Sequence, residues 1–449
     1  MKLIAQIAEE LATGGTTSRT LTEDALARIE DPDGEGSRTF IRVFRDSALA
    51  AADANDGLRK TGVVPSPLAG IPVSIKDLCD VAGVTTLAGS TVRCNATPAA
   101  RDATIVARLR AAGAVIMGTT NMTEFACGGL GLNPHYGDCR NAYDRETGRV
   151  PGGSSAGAAV SVTDGMAAAA VGTDTAGSVR IPAAMCGLAG FKPTAKRVPV
   201  DGIFPLSTTL DSVGPLAPTI ACCGIVDAIF AGEDPVLPEA APLEGLRFGI
   251  PDTLVTDNLD AEVAAAFERA VDKLSAAGAR VEDVALPELG ELSTVGQIRF
   301  PSMVEGYAIH RDRLENMLDQ MDPRISNRLL AGGQMSGPDY YDVLQFKQSL
   351  TERAGRITAN YDAIIMPTIP VIAPPIARFK GSDEAERDPH IIVIRNTSIG
   401  NLLDRCSLSI PCHDAGAAPV GFMLMGENMA DKRLLAIGLS VDRLLSPNL

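Results

Sequence analysis

Two segments of the chain combine an amphipathic helical pattern, a glycine and a short β-like run, and this pattern restricts the possible folds most. In "DATIVARLRAAGAVIMG" the glycine is Gly113 and the β-like run is 114–117. In "DAEVAAAFERAVDKLSAAGARVEDVAL" Gly278 takes the same place, and "LRFGI" precedes the helix as a further strand. A glycine directly after a helical pattern ends a helix. The alternation predicts an α/β protein whose helices cover a largely parallel sheet.

The composition is typical of a folded protein with a large core. Hydrophobic residues make up 45% of the 449 residues, and charged residues make up 21%. The length alone suggests about three domains. The segment 231–245, rich in proline, alanine and glutamate, indicates a surface connection, but the regions that it joins do not differ in composition. We therefore predict a single domain over residues 1–449.

Charge and hydropathy exclude two classes of partner. The net charge is −15 and no window concentrates lysine and arginine, so we expect no nucleic-acid ligand. The long apolar run 156–171 is interrupted by Thr163, Asp164 and Gly165, so we expect no membrane span. The N-terminal segment 1–15 carries two glutamates on a helical pattern, unlike a signal peptide. These features favour a cytoplasmic protein.

The 9 cysteines do not form a metal-binding pattern. Their number is odd, no two of them form a C-x-x-C pair, and no histidine lies at metal-ligand spacing from them. We predict that they are small buried hydrophobic residues that form no metal site and have no chemical role.

Three serines lie in glycine-rich turns of "PGGSSAGAAVSVTDGMAAAAVGTDTAGSVRIP", residues 151–182. They are Ser154, Ser155 and Ser178. A serine hydroxyl is a poor nucleophile unless a base accepts its proton, and the usual base is histidine. The chain has only 4 histidines, so the identity of the base has to be found together with that of the nucleophile.

Two general motifs fit the first turn poorly. "GSSAG" matches the G-x-S-x-G nucleophile elbow and would nominate Ser155, but no buried strand precedes it, and only His310, His390 and His413 follow. A phosphate-binding loop would place glycines before a helix, yet the G-K-[ST] ending is missing. Taken alone, a glycine turn that caps a helix remains the more common interpretation.

The second turn offers a better arrangement. The small residues around Ser178 allow consecutive backbone N–H groups to point into one concavity, which is what a developing oxyanion requires. Lys76 follows the apolar, strand-like run 71–75. An isolated lysine is usually solvated, but a lysine among apolar groups has a lowered pKa and can accept a proton.

At these residues the chain resembles the amidase signature family. The resemblance rests on Lys76 in "GIPVSIKD", Ser154 in "PGGSSAG" and Ser178 in "GTDTAGSVRIPAAMCGLAGFKPT", and it extends over most of the chain. It implies a single α/β domain with a large twisted mixed sheet flanked by helices, a signature core at about 65–225, and often a homodimer. It also implies a Ser-Ser-Lys triad, a cis peptide bond before Ser154, and no cofactor.

The mechanism that the resemblance implies is acyl transfer. Neutral Lys76 is the base for Ser154, which relays the proton of Ser178 as that oxygen attacks an amide carbonyl. The oxyanion is held by backbone N–H groups of the turn formed by Thr175, Ala176, Gly177 and Ser178. The backbone of Ala126 matches a position near the substrate. Ala176 replaces the first of two glycines usual in the family, a departure that concerns specificity more than activity.

Neighbouring residues have predicted supporting roles. Ser155 is predicted to cap the following helix. Asp174 either accepts backbone hydrogen bonds in the Ser178 turn or is a solvated acid. Arg180 binds a substrate carboxylate or braces the turn through a buried pair, and we favour bracing. Loops around 120–137, 200–212 and 298–345 are expected to line the pocket. His135, His310 and His413 are expected to be structural or surface groups.

Three functions remain open from the sequence. The first is a stand-alone amidase acting on a small amide. The second is the glutaminase subunit of a tRNA-dependent amidotransferase, which works only with partner chains, although "VPVDGIFPLSTTLDSVGP" favours the stand-alone enzymes. The third is a non-catalytic binding protein, which the intact triad disfavours.

Overall fold

The computed structural model describes residues 1–295, 300–379 and 384–446, and a single sheet lies at its centre. In chain order the strands of this sheet are β1 (Phe40–Val43), β2 (Pro72–Lys76), β3 (Val115–Thr120), β4 (Ala169–Asp174), β5 (Ala189–Lys192), β6 (Ser212–Ala217), β7 (Arg247–Pro251), β8 (Arg280–Val284), β9 (Ala363–Pro367), β10 (Ser407–Pro411) and β11 (Gly421–Met425). Strands from both halves of the chain belong to it. The fold is a single α/β domain.

The sheet is mixed, with the spatial order β1-β3-β2-β4-β6-β5-β10-β11-β9-β7-β8. β2 pairs in parallel with β3 and β4, and β7 pairs in parallel with β8 and β9. The other pairs in the described ranges are antiparallel. The prediction of a largely parallel sheet is therefore wrong, and the mixed sheet implied by the family resemblance is confirmed. Neighbours such as β10 and β11 are joined by a short connection, which suffices for antiparallel pairing.

Helices flank this sheet. In chain order they are α1 (Ile4–Thr13), α2 (Ser18–Glu30), α3 (Gly36–Thr39), α4 (Arg45–Lys60), α5 (Thr104–Ala111), α6 (Ala156–Thr163), α7 (Arg180–Cys186), α8 (Ile220–Ala231), α9 (Ala261–Ala276), α10 (Glu288–Val295), α11 (Pro301–Asn316), α12 (Pro323–Gly332), α13 (Gly337–Thr358), α14 (Glu384–Ile394), α15 (Thr397–Leu402) and α16 (Asp431–Leu445). The main core packs strand residues such as Val73, Val171 and Leu408 against helix residues such as Ile105 and Phe230. In the described ranges, no helix has the length and apolarity that a membrane crossing requires.

Both helix–glycine–strand segments have the predicted order. α5 ends before Gly113, which has a φ of 82°, and the strand that follows runs over Val115–Thr120 instead of 114–117. Gly278 has a φ of 88° after α9, and β7 (Arg247–Pro251) overlaps "LRFGI" in all but its first residue. These positive φ values explain why glycine ends each helix. The segment 232–246 forms no helix or strand, and none of its residues is buried.

One local expectation is wrong. The charged segment "RFKGSDEAERDPH" (378–390) is predicted from its sequence as an exposed loop, but α14 begins at Glu384; 380–383 lie outside the described residues. The apolar residues that follow the charges explain the helix, because Val393 is buried in a cluster with Leu130 and Phe379. A helix that contains many charged residues resembles a loop in composition.

Candidate active site

Two parallel strands bring the first residues of the site to one edge of the sheet. Lys76 is the last residue of β2, and Asp174 is the last residue of β4. These strands pair in parallel, with Ile75 opposite Val171. The carboxyl ends of parallel strands meet at the same edge, where ligand sites of α/β proteins usually lie. Lys76 therefore lies next to the glycine-rich segments around β4.

Lys76 is fully buried, and its Nζ lies between two hydroxyl groups. Lys76 Nζ donates to Ser154 Oγ at 2.7 Å and to Thr173 Oγ1 at 2.9 Å. Burial lowers the pKa of Lys76 to about 7, because the charged form loses its hydration. Near neutral pH a large fraction of this lysine is therefore neutral and able to accept a proton.

Backbone contacts on both sides hold Ser154 in place. The peptide bond between Gly153 and Ser154 is cis, as the family resemblance implies. Gly153 N donates to Gly129 O at 2.8 Å, and Thr123 N donates to Ser154 O at 3.1 Å. The segment 123–129 therefore supports the turn that presents Ser154 to Lys76.

The predicted capping role of Ser155 is wrong. Ser155 directly precedes α6, but its hydroxyl makes no bond to the first turn and donates to Thr173 O at 3.4 Å. Its backbone (φ −88°, ψ 51°) lies outside the extended region in which N-cap side chains reach the helix. The nucleophile-elbow alternative also finds no base, because no histidine in the described part of the chain hydrogen-bonds to Ser155.

The turn that contains Ser178 is folded around the carboxylate of Asp174. Gly177 N donates to Asp174 Oδ1 at 2.7 Å, and Val179 N donates to Asp174 Oδ2 at 3.2 Å. Asn401 Nδ2 donates to the same carboxylate at 2.9 Å. Asp174 is thus an acceptor of backbone hydrogen bonds, and the alternative of a solvated acid is excluded.

Arg180 braces this turn through a buried ion pair, as favoured from the sequence. Arg180 Nε and Nη2 donate to the two Asp174 oxygens at 3.0 and 2.9 Å, and both side chains are fully buried. Burial by itself raises the pKa of Asp174, but the charge and hydrogen bonds of Arg180 outweigh it and hold the pKa at about 2. Asp174 is therefore ionised at all physiological pH values.

The contacts of Gly177 correct one expectation about the oxyanion donors. Its N–H is already donated to Asp174, so it is not available to a ligand. In the described chain, the N–H groups of Thr175, Ala176 and Ser178 donate to no carbonyl or side chain. Gly177 is required for another reason: its φ is 130°, and a Cβ there would lie 2.1 Å from Thr397 Oγ1.

Ser178 borders a cavity of about 550 Å³, measured with its open mouth. The described lining residues are Ala126, Cys127, Gly128, Gly129, Thr175, Ala176, Ser178, Leu206, Phe300, Ser302, Met303, Arg328, His390 and Ile394. Each of the three predicted pocket regions contributes to this lining. The wall from α14, with His390 and Ile394, was not predicted. In the described chain, Ser178 Oγ forms no hydrogen bond with Ser154.

Sequence reasoning missed two residues that organise the cavity. Asp211 accepts from Thr175 Oγ1 at 2.5 Å and from the N–H groups of Leu206 and Ser207, both at 2.9 Å. One carboxylate therefore fixes two lining residues, Thr175 and Leu206. Thr173 supports Lys76 as described above. No motif assigns a role to Thr173 or Asp211, although both lie in segments that Sequence analysis quotes for their resemblance to family members.

The triad expected from the family resemblance contains no histidine and no cysteine. His310 packs against Phe125 with ring centroids 4.1 Å apart, and His135 Nε2 lies 3.0 Å from Glu124 Oε1. The cysteines are all free, and only Cys94 is exposed. The described residues contain no cluster of three or more histidine, cysteine, aspartate or glutamate side chains that could hold a metal ion.

Comparison with known proteins decides the family. The Amidase family model matches residues 20–435. The chain belongs to the amidase signature family. This agrees with the resemblance of the Lys76, Ser154 and Ser178 motifs.

Three relatives show the range of this amidase family. The 2-amino-5-chloromuconic acid deaminase of Comamonas testosteroni is 39% identical over 403 residues, 89% of this chain and 86% of the relative. The A subunit of the glutamyl-tRNA(Gln) amidotransferase of Chloroflexus aggregans is 33% identical over 464 residues, 95% of this chain and 93% of the relative. A solved crystal structure of an amidase is 33% identical, covers 99% of this chain and 100% of that chain, and has a TM-score of 0.88.

The buried pair of this amidase leads to a stability prediction. Arg180→Leu leaves the Asp174 charge buried without its cation, so we expect the free energy of unfolding to fall by about 3–5 kcal/mol. Urea unfolding followed by circular dichroism measures this change. The control is Arg19→Leu, which removes the exposed pairs with Glu23 and Asp53 and is expected to cost less than about 1 kcal/mol. Equal losses in the two variants would contradict the bracing role.

Proposed function

We propose that this amidase hydrolyses the carboxamide of a small molecule to a carboxylate and ammonia or an amine, with Ser178 as the nucleophile. The observation that carries the proposal is the buried contact of 2.7 Å between Lys76 Nζ and Ser154 Oγ. With a pKa of about 7, Lys76 can act as the base, and the hydroxyl group of Ser154 beside it can relay a proton to it. The third member, Ser178, borders the cavity where an amide can bind.

Proton transfer and bond formation are coupled in the proposed first step. Ser178 Oγ attacks the amide carbon and gives its proton to Ser154, whose own proton passes to the neutral amine of Lys76. The hydrogen bond from Ser178 to Ser154 is expected to form with bound substrate, since catalytic hydrogen bonds often tighten in the enzyme–substrate complex. The carbonyl oxygen becomes an oxyanion that accepts from N–H groups of Thr175, Ala176 and Ser178.

The second half of the reaction reverses the proton path. Protonated Lys76 returns a proton through Ser154 to the nitrogen of the leaving group, and the C–N bond breaks to leave an acyl ester on Ser178. Water then attacks this ester with Lys76 and Ser154 again accepting its proton, and the carboxylate is released. No step requires a group beyond the chain, the amide and water.

A glutaminase subunit is the second candidate. The identity of 33% to the Chloroflexus aggregans amidotransferase component over nearly the full length of both chains favours it. The two candidates differ in their requirements: a stand-alone amidase hydrolyses amides unaided and is expected as a homodimer, whereas the glutaminase depends on partner chains.

The first experiment tests the nucleophile. Purified wild-type protein and Ser178→Ala are assayed for ammonia and amine release on aliphatic, aryl, dicarboxylic and urea-type amides and on glutamine. We expect release by the wild type and a loss of at least about 1,000-fold in the variant, with an unchanged circular dichroism spectrum. Release by the variant at the wild-type rate would disprove the role of Ser178. If the wild type releases neither ammonia nor an amine from any of these substrates, the result favours the glutaminase subunit.

The pH dependence tests the base. Lys76 must be neutral to accept a proton, so kcat/KM is expected to rise as the pH increases through about 7 and to level off above it. Burial raises the pKa of Asp211 to about 6, and its protonation would weaken the hold on Thr175, which lowers activity in the same acidic direction. Lys76→Arg stays charged and is expected to be inactive at every pH. A wild-type profile that falls steadily from about pH 6 to about pH 9 would contradict lysine as the base.

A further inference from the structure

The peptide unit between Ala176 and Gly177 is held by a hydrogen bond at each end. Gly177 N donates to Asp174 Oδ1 at 2.7 Å, and Ala176 O accepts from Thr397 Oγ1 at 2.7 Å. A peptide unit is planar, and in its trans form the N–H and C=O groups point in opposite directions. The two bonds therefore fix the orientation of this plane within the turn.

The fixed plane lies between two backbone donors of the cavity lining. The N–H of Ala176 precedes it and the N–H of Ser178 follows it. Both residues line the cavity, and in the described chain neither N–H donates to another group. Each of these N–H groups belongs to a peptide unit that shares an α-carbon with the fixed one, so the direction of one donor relative to the other depends on the plane between them.

Thr397 is fully buried, and its side chain packs directly against this turn. A Cβ on Gly177 would lie 2.5 Å from Thr397 Cβ, so the backbone comes this close to α15 only because the residue is a glycine. Among the residues that the structure describes, Ala176 O accepts from no other group. Loss of the Thr397 hydroxyl would leave this carbonyl without its partner, and the peptide plane would lose one of its two supports.

Helix α15 also holds the turn at a second point on the same helix face. Asn401 Nδ2 donates to Asp174 Oδ1 at 2.9 Å and to Asp174 O at 3.1 Å. Thr397 and Asn401 are four residues apart in α15, so their side chains lie on one face. Asn401 thus fixes the carboxylate that Gly177 N meets, and Thr397 holds the carbonyl at the other end of the same peptide unit.

We infer that Thr397 is a positioning residue for oxyanion stabilisation, because its hydroxyl group fixes the peptide plane that aims the N–H groups of Ala176 and Ser178. This inference rests on the proposed function, in which these groups hold the oxyanion. Donors stabilise a transition state most when their directions are set before the reaction begins. The amide oxygen of the bound substrate carries less charge than the oxyanion, so misaligned donors weaken binding of the transition state more than binding of the substrate.

Three variants test this inference on the amide that the wild type hydrolyses best. Thr397→Val replaces the hydroxyl by a methyl group, and kcat is expected to fall about 10-fold or more while KM changes less than about 3-fold. Thr397→Ser keeps a hydroxyl group and is expected to retain kcat within about 3-fold. The control is Ser398→Ala, which removes a neighbouring hydroxyl that donates to Arg395 O at 3.1 Å and is expected to leave kcat unchanged.

The same variants separate positioning of the turn from general stability. Thermal unfolding followed by circular dichroism gives the Tm of each variant, and the assays are run well below the lowest Tm. If the hydroxyl group of Thr397 positions the turn, kcat depends on the presence of that hydroxyl group and not on Tm. An unchanged kcat in Thr397→Val, an equal fall in Thr397→Ser or Ser398→Ala, or a fall in kcat/KM that is due to KM alone overturns the inference.

A boronic acid measures the same effect without turnover. The trigonal boron of phenylboronic or butylboronic acid accepts a lone pair from Ser178 Oγ, and the serine proton passes through Ser154 to Lys76. The resulting anionic, tetrahedral boronate places an oxygen where the oxyanion forms. We expect isothermal titration calorimetry to show binding of one of these acids to the wild type, about 10-fold weaker binding to Thr397→Val and wild-type affinity in Ser398→Ala.

Boronate binding distinguishes failure of this inference from failure of the proposed function. A wild type that hydrolyses amides through Ser178 and binds a boronic acid, with the same affinity in Thr397→Val, overturns the inference alone. A wild type that releases nothing from any amide, while Thr397→Val weakens boronate binding about 10-fold, contradicts the proposed function alone. A wild type that neither hydrolyses an amide nor binds either boronic acid contradicts both.

Discussion

The buried carboxylate of Asp174 is the interaction on which the site depends. It receives hydrogen bonds from the Gly177 backbone, from the Arg180 side chain and from Asn401, so the end of β4, the start of α7 and helix α15 all meet at one charged group. A buried charge is tolerated only when its partners are complete, and here the guanidinium of Arg180 balances it. The backbone around Ser178 therefore has little freedom to rearrange. Its remaining N–H groups are held in advance at the cavity, which is the condition for efficient stabilisation of a developing negative charge.

Burial has the opposite consequence at Lys76. Asp174 keeps its charge because Arg180 compensates it, whereas Lys76 is surrounded by hydroxyl groups that do not compensate a positive charge. At neutral pH the same loss of hydration thus leaves Asp174 ionised, whereas Lys76 is near the midpoint of its titration. The two sites lie at the carboxyl ends of neighbouring parallel strands, so a single sheet edge provides both environments. The contrast comes from the neighbours of each side chain and not from its depth.

Much of this arrangement could be predicted because its signals are local in the sequence. The glycine-rich turns, the apolar run before Lys76 and the helix-ending glycines each lie within a few residues, and the structure places Lys76 beside Ser154 as expected. The role of Ser155 was mispredicted because the carbonyl of Thr173, distant in sequence, competes for its hydroxyl. His390 was missed for a similar reason: its segment is rich in charge, and only the packing of Val393 reveals a helix there. Asp211 has partners in three sequence positions whose proximity no periodic pattern shows.

The pairing of β5 with β10 has a consequence for synthesis on the ribosome. It joins residues 190–192 to 407–409, and Thr397 and Asn401 support the turn of Ser178 from the same distant part of the chain. Lys76, Ser154 and Ser178 have all left the ribosome long before these supports are made. The nascent chain must therefore keep an incomplete sheet, with exposed strand edges, until almost the last residues are translated. Such edges are where unfinished chains associate, so the edges of this incomplete sheet need protection during translation.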